Sequence, residues 1–314
     1  MPNFNHARFL PESVGALLSQ SDPASEIIVM DDCSTDDSWD VLQTLAARHP
    51  TLRCHRNKKN QGVVPNMNCG LALAQGDYVY FAAADDKVLP GFFEHTMHTL
   101  RAHPQAALGC SIGNWVDVAT GSSRQVGEAM GAEPCYLSPE RMVELEKQGR
   151  LLIASQTVIV KRAALLRAGG FQPELRWFCD WFANYVAGFR EGICFVPQTL
   201  TVFNVHPASY SKAGRSQKKT RREVLRELIA RLDQRENADA ARLIHDSGAL
   251  YLFGKPALTL MLATPRWWRH LTPAFLRKTL ATMAQAERKK WRRSWEKHRH
   301  RWQRHAMADN SGAK

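Results

Sequence analysis

Two short apolar runs, Glu26–Met30 and Tyr78–Ala84, each end on a pair of adjacent aspartates, Asp31/Asp32 and Asp85/Asp86. The first, EIIVM, is rich in β-branched residues and apolar on both faces, the pattern of a strand buried between two layers. CSTDDSWDVLQTLAARH follows it as an acidic turn and a helix, with Ser34 as N-cap and Asp36 and Asp37 in the first turn. LRCHRN (52–57) reads as a second strand, Asn60-Gln61-Gly62 as a turn, and the segment with Asn66, Asn68 and Leu71–Ala74 as a helix. Gly76-Asp77 then turns into the third strand, YVYFAAA (78–84). Strands alternating with helices predict right-handed βαβ units in an open, mostly parallel α/β sheet flanked by helices.

In such a sheet ligands bind at the carboxyl ends of the strands, where both acidic pairs fall. Adjacent carboxylates repel unless donors or a cation compensate, and a hard divalent ion with oxygen ligands does so naturally. Mg²⁺ or Mn²⁺ is expected, and because these ions bind diphosphate oxygens readily, a nucleotide diphosphate with them. Acids after a strand also serve as helix caps, which accounts for Asp36 and Asp37. Asp85 and Asp86 run into Pro90-Gly91 with no capping pattern, so a ligand role is favoured there. Asn60 and Gly62 suit a plain turn equally well.

The 314 residues are 44% hydrophobic, enough for one large domain or two modest ones. Seven cysteines without a CxxC pair point away from a disulfide framework or zinc ribbon and toward a reducing, cytoplasmic compartment. No signal peptide is recognised, and the longest apolar stretch, 249–263, is broken by Lys255 and Pro256, short of a membrane span. Residues 211–314 hold 25 Lys and Arg against 9 Asp and Glu, so a slightly acidic working part is expected to carry a basic helical extension from about 211.

Within that extension Val224, Leu225, Leu228, Ile229 and Leu232 make a packing face. Trp291, Trp295, His298 and Trp302 recur at helical spacing among Arg and Lys, an interfacial pattern suited to an anionic membrane surface. Packing within the chain or on a partner competes with that reading. Nucleic acid is unlikely as a partner, since no recognised nucleic-acid fold accompanies the basic residues.

PNFNHARFLPESVGALLSQ, EIIVMDDCSTDDS and RNKKNQGVVPNMNCGLALAQGDYVYFAAADD, in that order, resemble the nucleotide-binding half of family 2 glycosyltransferases of the GT-A fold, and the resemblance covers residues 1 to about 210. It implies a nucleotide-sugar-binding half at 1–110, an acceptor-binding and catalytic half at 111–210, and the extension at 211–314. It further implies that Asp31 or Asp32 reads the base, that Asn3 and Asn5 line the same pocket, and that Asn60, Gly62 and Asn68 serve the donor. Asp85 and Asp86 would hold ribose and metal.

The segment GGFQPELRWFCDWFANYVAGFREG (169–192) carries one apolar helical stripe of Phe178, Trp181, Phe182, Tyr185, Val186 and Phe189, with Asp180 off it. The resemblance makes Asp180 the general base of an inverting transfer and gives His206, in VFNVHPASYS, contact with diphosphate or metal. The chain departs from the family at three points. Ala83 stands where Asp-x-Asp-Asp has its first Asp, Cys179 replaces a Glu, and the hydrophobic strand before Pro-x-Phe-Asn would lie ahead of Met1. Absence of that strand is expected to leave backbone groups unpaired and an apolar groove open. The expected activity is divalent-metal-dependent transfer from a nucleotide diphosphate sugar to a glycan or lipid-linked acceptor in cell-surface polysaccharide synthesis, in the cytoplasm or peripheral at the inner face of the plasma membrane. A catalytically silent glycan- or partner-binding relative and a basic nucleic-acid binder are the alternatives.

Overall fold

The computed structural model describes residues 1–205 and 217–311, with side chains described only in part beyond 288. Its strands begin at once: β1 (Pro2–Asn3) lies parallel to β2 (Ile27–Asp31), and β2 lies parallel to β3 (Leu52–Arg56). Alternation along β2 sends Ile27 and Val29 into the core. Helix α1 (Leu10–Leu18) buries Leu10, Val14 and Leu17, a 3.6-residue stripe. Helix α2 (Ser38–Arg48) joins β2 to β3, and α3 (Val63–Leu73) follows β3. The predicted βαβ pattern is therefore present in the first 73 residues.

The predicted third strand is shorter than its apolar run. Strand β4 covers only Tyr78–Tyr80, and the chain then leaves the ladder on its way to the aspartates. Strand β4 pairs with β9 (Ile159–Lys161), and the order continues through β6 (Leu108–Asp117) and β10 (Ile193–Val205) to β5 (Lys87–Val88). In this larger, mixed sheet β6 and β10 are parallel, while β4–β9, β6–β9 and β10–β5 are antiparallel. The expected mixed, mostly parallel sheet flanked by helices is present in two parts, an all-parallel N-terminal sheet and a mixed one, and one apolar core runs under both through Ile27, Val29, Phe92, Ile159 and Val196.

A correction applies at Ser34. It does not cap α2: the helix starts at Ser38 after Asp37, and the Ser38 amide is met by Asp36 Oδ1 at 3.0 Å. The Ser34 hydroxyl is committed to Asp31 instead.

Helix α4 (Phe92–Ala102) buries Phe92 and Phe93, and α7 (Cys179–Glu191) is buried nearly all round, including Phe182, Tyr185, Val186 and Phe189 of the predicted stripe. Helix α8 (Lys218–Leu232) buries Val224, Leu225, Leu228, Ile229 and Leu232. Its Arg231 bonds Gln172 at 2.8 Å and Glu174 at 3.2 Å, tying it to the turn that leads into α7. Arg190 reaches Asp239 at 3.0 Å in the same way, fastening α9 (Ala238–Ser247) to α7.

Contacts divide the chain into two compact units, Met1–Ser247 and Gly248–Lys314. The second contains α10 (Gly254–Leu262) and α11 (Pro273–Ser311). It holds 15 of the 42 Lys and Arg and 3 of the 30 Asp and Glu, so the whole formal net charge of +12 falls within it and 1–247 are neutral. No helix among the described residues is long and apolar enough to cross a membrane.

Candidate active site

Asp31 ends β2 and Asp32 follows it, whereas Asp85 and Asp86 lie beyond the end of β4 and directly before β5, and the surroundings of the two pairs differ. Asp31 is fully buried. It accepts from Asn3 Nδ2 at 2.9 Å and from Ser34 through Oγ at 2.5 Å and the amide at 3.2 Å, and Arg56 Nε lies 3.4 Å away. Asp32 accepts from Asn57 Nδ2 and from the amides of Gln61 and Gly62, each at 2.8 Å. Burial raises its carboxyl, but hydrogen bonds from Asn66, Gln61, Asn57 and Gly62 outweigh that and leave it below the ordinary carboxylate range. Gly62, at φ 90°, adopts a backbone an L side chain resists, and so presents its amide to Asp32 as it starts α3.

Asn5 and Asn68, also predicted from sequence to serve the donor, hydrogen-bond to neighbouring segments. Asn5, in the left-handed region at φ 57°, accepts from the Thr35 amide at 2.8 Å and, through its own amide, donates to Ser34 Oγ at 3.0 Å. Asn68 clamps backbone across the fold: its Nδ2 donates to the Phe171 carbonyl at 2.6 Å and its Oδ1 accepts the Phe171 amide at 3.1 Å. This joins α3 to the Gly169-Gly170-Phe171 turn. Asn60 is exposed beside Gln61 and Gly62.

Asp85 and Asp86 are held differently. Strand β5 follows them directly and pairs with β10 at Thr201 and Val202, which brings Asn204 alongside. The Asn204 amide donates to Asp86 Oδ1 at 2.9 Å, and its side chain to the Asp85 carbonyl at 2.8 Å. One backbone donor does not offset two carboxylates. Burial first and the neighbouring Asp85 charge second push the Asp86 carboxyl up to about 7, against the Asn204 hydrogen bond.

Among the described residues no group of three His, Cys, Asp or Glu forms a protein cage there. Two carboxylates with few protein donors suit a hard cation that keeps water and takes phosphate oxygens, so these residues fit Mg²⁺ or Mn²⁺. His206 lies outside the described residues.

Asp180 sits half-buried in the first turn of α7, where the helix dipole favours a negative charge. Its Oδ1 accepts the Trp181 amide at 2.7 Å, and the preceding Arg176 holds a left-handed φ of 49°. Buried Trp177, Phe178 and Cys179 surround it in sequence. Burial, and then the Asp180 charge, drive the Cys179 thiol far above its ordinary range, so Cys179 stays a neutral filler. The Phe81 and Phe171 rings meet edge-on at 4.6 Å, and with Asn68 this ties the segment before Asp180 to the chain leaving β4.

Sequence reasoning missed the groups that neutralise the first pair. Arg56 stabilises Asp31, and Asn57 binds Asp32 at 2.8 Å and Asn66 Oδ1 at 2.6 Å. Their signal was a cluster of Arg and Asn just after a strand, which also reads as an ordinary turn.

Residues 1–156 match the family described as Glycosyl transferase family 2. An uncharacterized glycosyltransferase of Nostoc sp. is 26% identical over 66% of this chain and 64% of its own length. The UDP-Glc:alpha-D-GlcNAc-diphosphoundecaprenol beta-1,3-glucosyltransferase WfaP of Escherichia coli is 36% identical over 24% of this chain and 29% of its own. The chain therefore spans less than two thirds of these relatives. Among solved structures, Staphylococcus aureus TarS 1–349 in complex with UDP superposes with a TM-score of 0.60 at 19% identity, over 83% of this chain and 73% of that one. The mannosyltransferase PcManGT of Pyrobaculum calidifontis, in complex with GDP-Man and Mn²⁺, gives 0.56 at 18% identity over 94% and 81%. Residues 1–156 carry a glycosyl transferase family 2 domain, and the chain has the GT-A fold.

Proposed function

We propose that this protein transfers a sugar from a nucleotide diphosphate sugar to a glycan or lipid-linked acceptor in cell-surface polysaccharide synthesis, with inversion and with a divalent metal. The observation that carries this is the Asp85/Asp86 pair beside Asn204, with the Asp86 carboxyl pushed up to about 7 by burial and by the Asp85 charge. Asp85 and Asp86 would hold Mg²⁺ or Mn²⁺, which when bound offsets negative charge on the departing diphosphate. Asp180 takes the acceptor hydroxyl proton as the acceptor oxygen bonds the anomeric carbon and the bond from that carbon to the diphosphate oxygen breaks. Attack opposite the leaving group inverts the anomeric centre. The charge of Asp180 is favoured by the N-terminus of α7.

UDP-sugars come first in the test, because WfaP is named for a UDP-glucose donor and TarS was solved with UDP. Thermal shift against a panel of UDP-, GDP-, TDP- and CDP-sugars, with and without Mn²⁺, should give one nucleotide whose stabilisation requires the ion. Product formation should then fall by roughly 10²–10⁴-fold in Asp180→Asn with the melting point kept. No metal-dependent shift for any nucleotide sinks the proposal. Binding with no turnover would instead favour the catalytically silent relative.

The basic unit adds a location, peripheral at the inner face of the plasma membrane. In support, it carries all the net charge, and Trp268, Trp291 and Trp295 are 59%, 75% and 53% exposed. The full chain should float with phosphatidylglycerol vesicles, and a Trp291→Ala/Trp295→Ala chain should float less. Equal flotation of both counts against it.

A further inference from the structure

The ends of β6 and β10 carry two aromatic side chains that neither the acidic pairs nor Asp180 uses. Trp115 of β6 stands directly opposite Phe203 of β10, and on its other side it stands opposite Arg124 of β7 (Ser123–Val126). Residues directly across a ladder share a sheet face, so the three side chains make one row. The Trp115 and Phe203 ring planes differ by 26° with centroids 6.4 Å apart, and Arg124 Cζ lies 3.9 Å from the indole centroid. At that separation the rings are displaced along each other and not superposed, and the guanidinium covers one face of the indole. Both rings are half-buried, whereas Gly113 and Thr201, two residues back along the same strands, are buried.

The backbone makes room for this pair. A Cβ on Gly113 would lie 2.5 Å from Phe203 Cε1 and 3.1 Å from Thr157 Cγ2. With no side chain at 113, the Phe203 ring leans over β6, the strand that carries Trp115.

The row runs between the two acids of the proposed chemistry. Asn204, next to Phe203, donates to Asp86 at 2.9 Å, so Phe203 is one strand spacing from Asp86 and Trp115 is two, roughly 10 Å. Trp115 shares its sheet face with Gly113, against which Thr157 packs. In the same turn Ser155 accepts from Asn184 of α7 at 3.3 Å, and Asp180 is one helical turn before Asn184. Helix α7 returns through Gly192 to the start of β10, which turns its N-terminal end, with Asp180, toward the carboxyl ends of β6 and β10. The aromatic row is therefore on the Asp180 side of the sheet and at the Asp86 end of the strands.

We infer that Trp115 and Phe203 form a stacking platform for a sugar ring of the acceptor, with Arg124 holding the indole plane. The C–H face of a pyranose packs on aromatic surface while its hydroxyls stay in water. Resting on the roles proposed above for Asp86 and Asp180, the platform belongs to the acceptor: two strand spacings from Asp86 exceed the span of the one ring that a metal-bound diphosphate carries.

Saturation-transfer NMR on the full chain with UDP and Mn²⁺ tests this, using the methyl glycosides of glucose, galactose, N-acetylglucosamine and rhamnose, with glycerol 3-phosphate as a ringless control. At least one glycoside should receive saturation at its ring protons, and glycerol 3-phosphate none. Trp115→Ala should weaken glycoside binding by about fivefold or more, Phe203→Leu, which keeps most of the volume over Gly113, should do the same, and Trp115→Phe should restore most of it. The thermal shift produced by nucleotide and Mn²⁺ should be equal in all four chains. If Trp115→Ala does not fold, Phe203→Leu decides. Absence of any glycoside signal overturns the platform, and so does a signal that Trp115→Ala or Phe203→Leu leaves unmoved. A glycerol 3-phosphate signal lost in Arg124→Ala, with none from the glycosides, gives the surface to an anion and overturns it as well. Glycoside binding that depends on Trp115, in a chain showing no Mn²⁺-dependent nucleotide shift, sinks the transferase reading and leaves the platform standing as a glycan-binding surface.

Discussion

Asp31/Asp32 close β2 and Asp85/Asp86 stand just ahead of β5, and the fold treats the two pairs oppositely. The first pair is saturated: Asn3, Ser34 and Arg56 serve Asp31, while Asn57, Gln61 and Gly62 serve Asp32. Its charge is settled inside the protein, and Asp32 titrates below the ordinary range. Among the described residues the second pair receives one amide, from Asn204, and burial and the Asp85 charge push the Asp86 carboxyl up to about 7. A satisfied carboxylate organises a loop, whereas an unsatisfied one retains affinity for something the chain does not supply. On the proposed reading the first pair would organise its loop and the second would hold the ligand.

The largest effect should come from cancelling the second pair. Asp86→Asn should reduce sugar transfer by about 10³-fold, as expected for losing an electrostatic stabiliser of the leaving group, and abolish the Mn²⁺-dependent thermal shift. Its melting temperature without metal should not fall, because a repulsion is relieved. EDTA on the unaltered chain should reproduce the loss of activity. A marked drop in stability with activity kept would break the contrast, by making Asp86 structural.

Asp31→Ala probes the other side. It leaves the buried Asn3 amide and Ser34 hydroxyl without their acceptor, while Arg56, 40% exposed, keeps water and the Ser34 carbonyl, and should cost roughly 1–3 kcal/mol in urea unfolding, the range for buried polar groups left unsatisfied. An unaffected midpoint would show that the hydrogen bonds of Asp31 contribute little, and that saturation is not what distinguishes it.

How far these roles could be read from sequence depends on the range of the interaction. Strand β2, helix α3 and the buried stripe of α7 follow from short periodicities, and the structure contains them. Asp31/Asp32 were recognisable as strand-end acids, whereas the strand expected to end on Asp85/Asp86 stops at Tyr80. Their unequal satisfaction was not, because Asn57 reaches Asp32 across 25 residues and Asn204 reaches Asp86 across 118. Ser34 shows the limit even locally: a hydroxyl before a helix looks like a cap until a buried Asp31 lies 2.5 Å away. Asn68 reads as one more polar helix residue, and only the packing of α3 on residues 169–171 makes it a two-bond clamp. Propensity carries no information about partners a hundred residues off.

The finest discrimination lies in the pH dependence, where the two pairs must act with opposite sign. Folded Asp86 holds its proton up to about pH 7, against 3.8 for an ordinary aspartate, so between those values the folded chain binds more protons than the unfolded one. Stability must then fall as pH rises through that window, by the order of 3 kcal/mol for this group. Asp32 is lowered, so the folded state binds fewer protons, and its contribution is present above 3.8 and lost as pH falls below it. Urea unfolding with EDTA at pH 5 and pH 8 separates the two: the unaltered chain should lose stability relative to Asp86→Asn on going to pH 8, and added Mn²⁺ should close the gap. If the two chains track each other across that window, Asp86 is not held protonated by its surroundings, and the electrostatic distinction between the pairs fails.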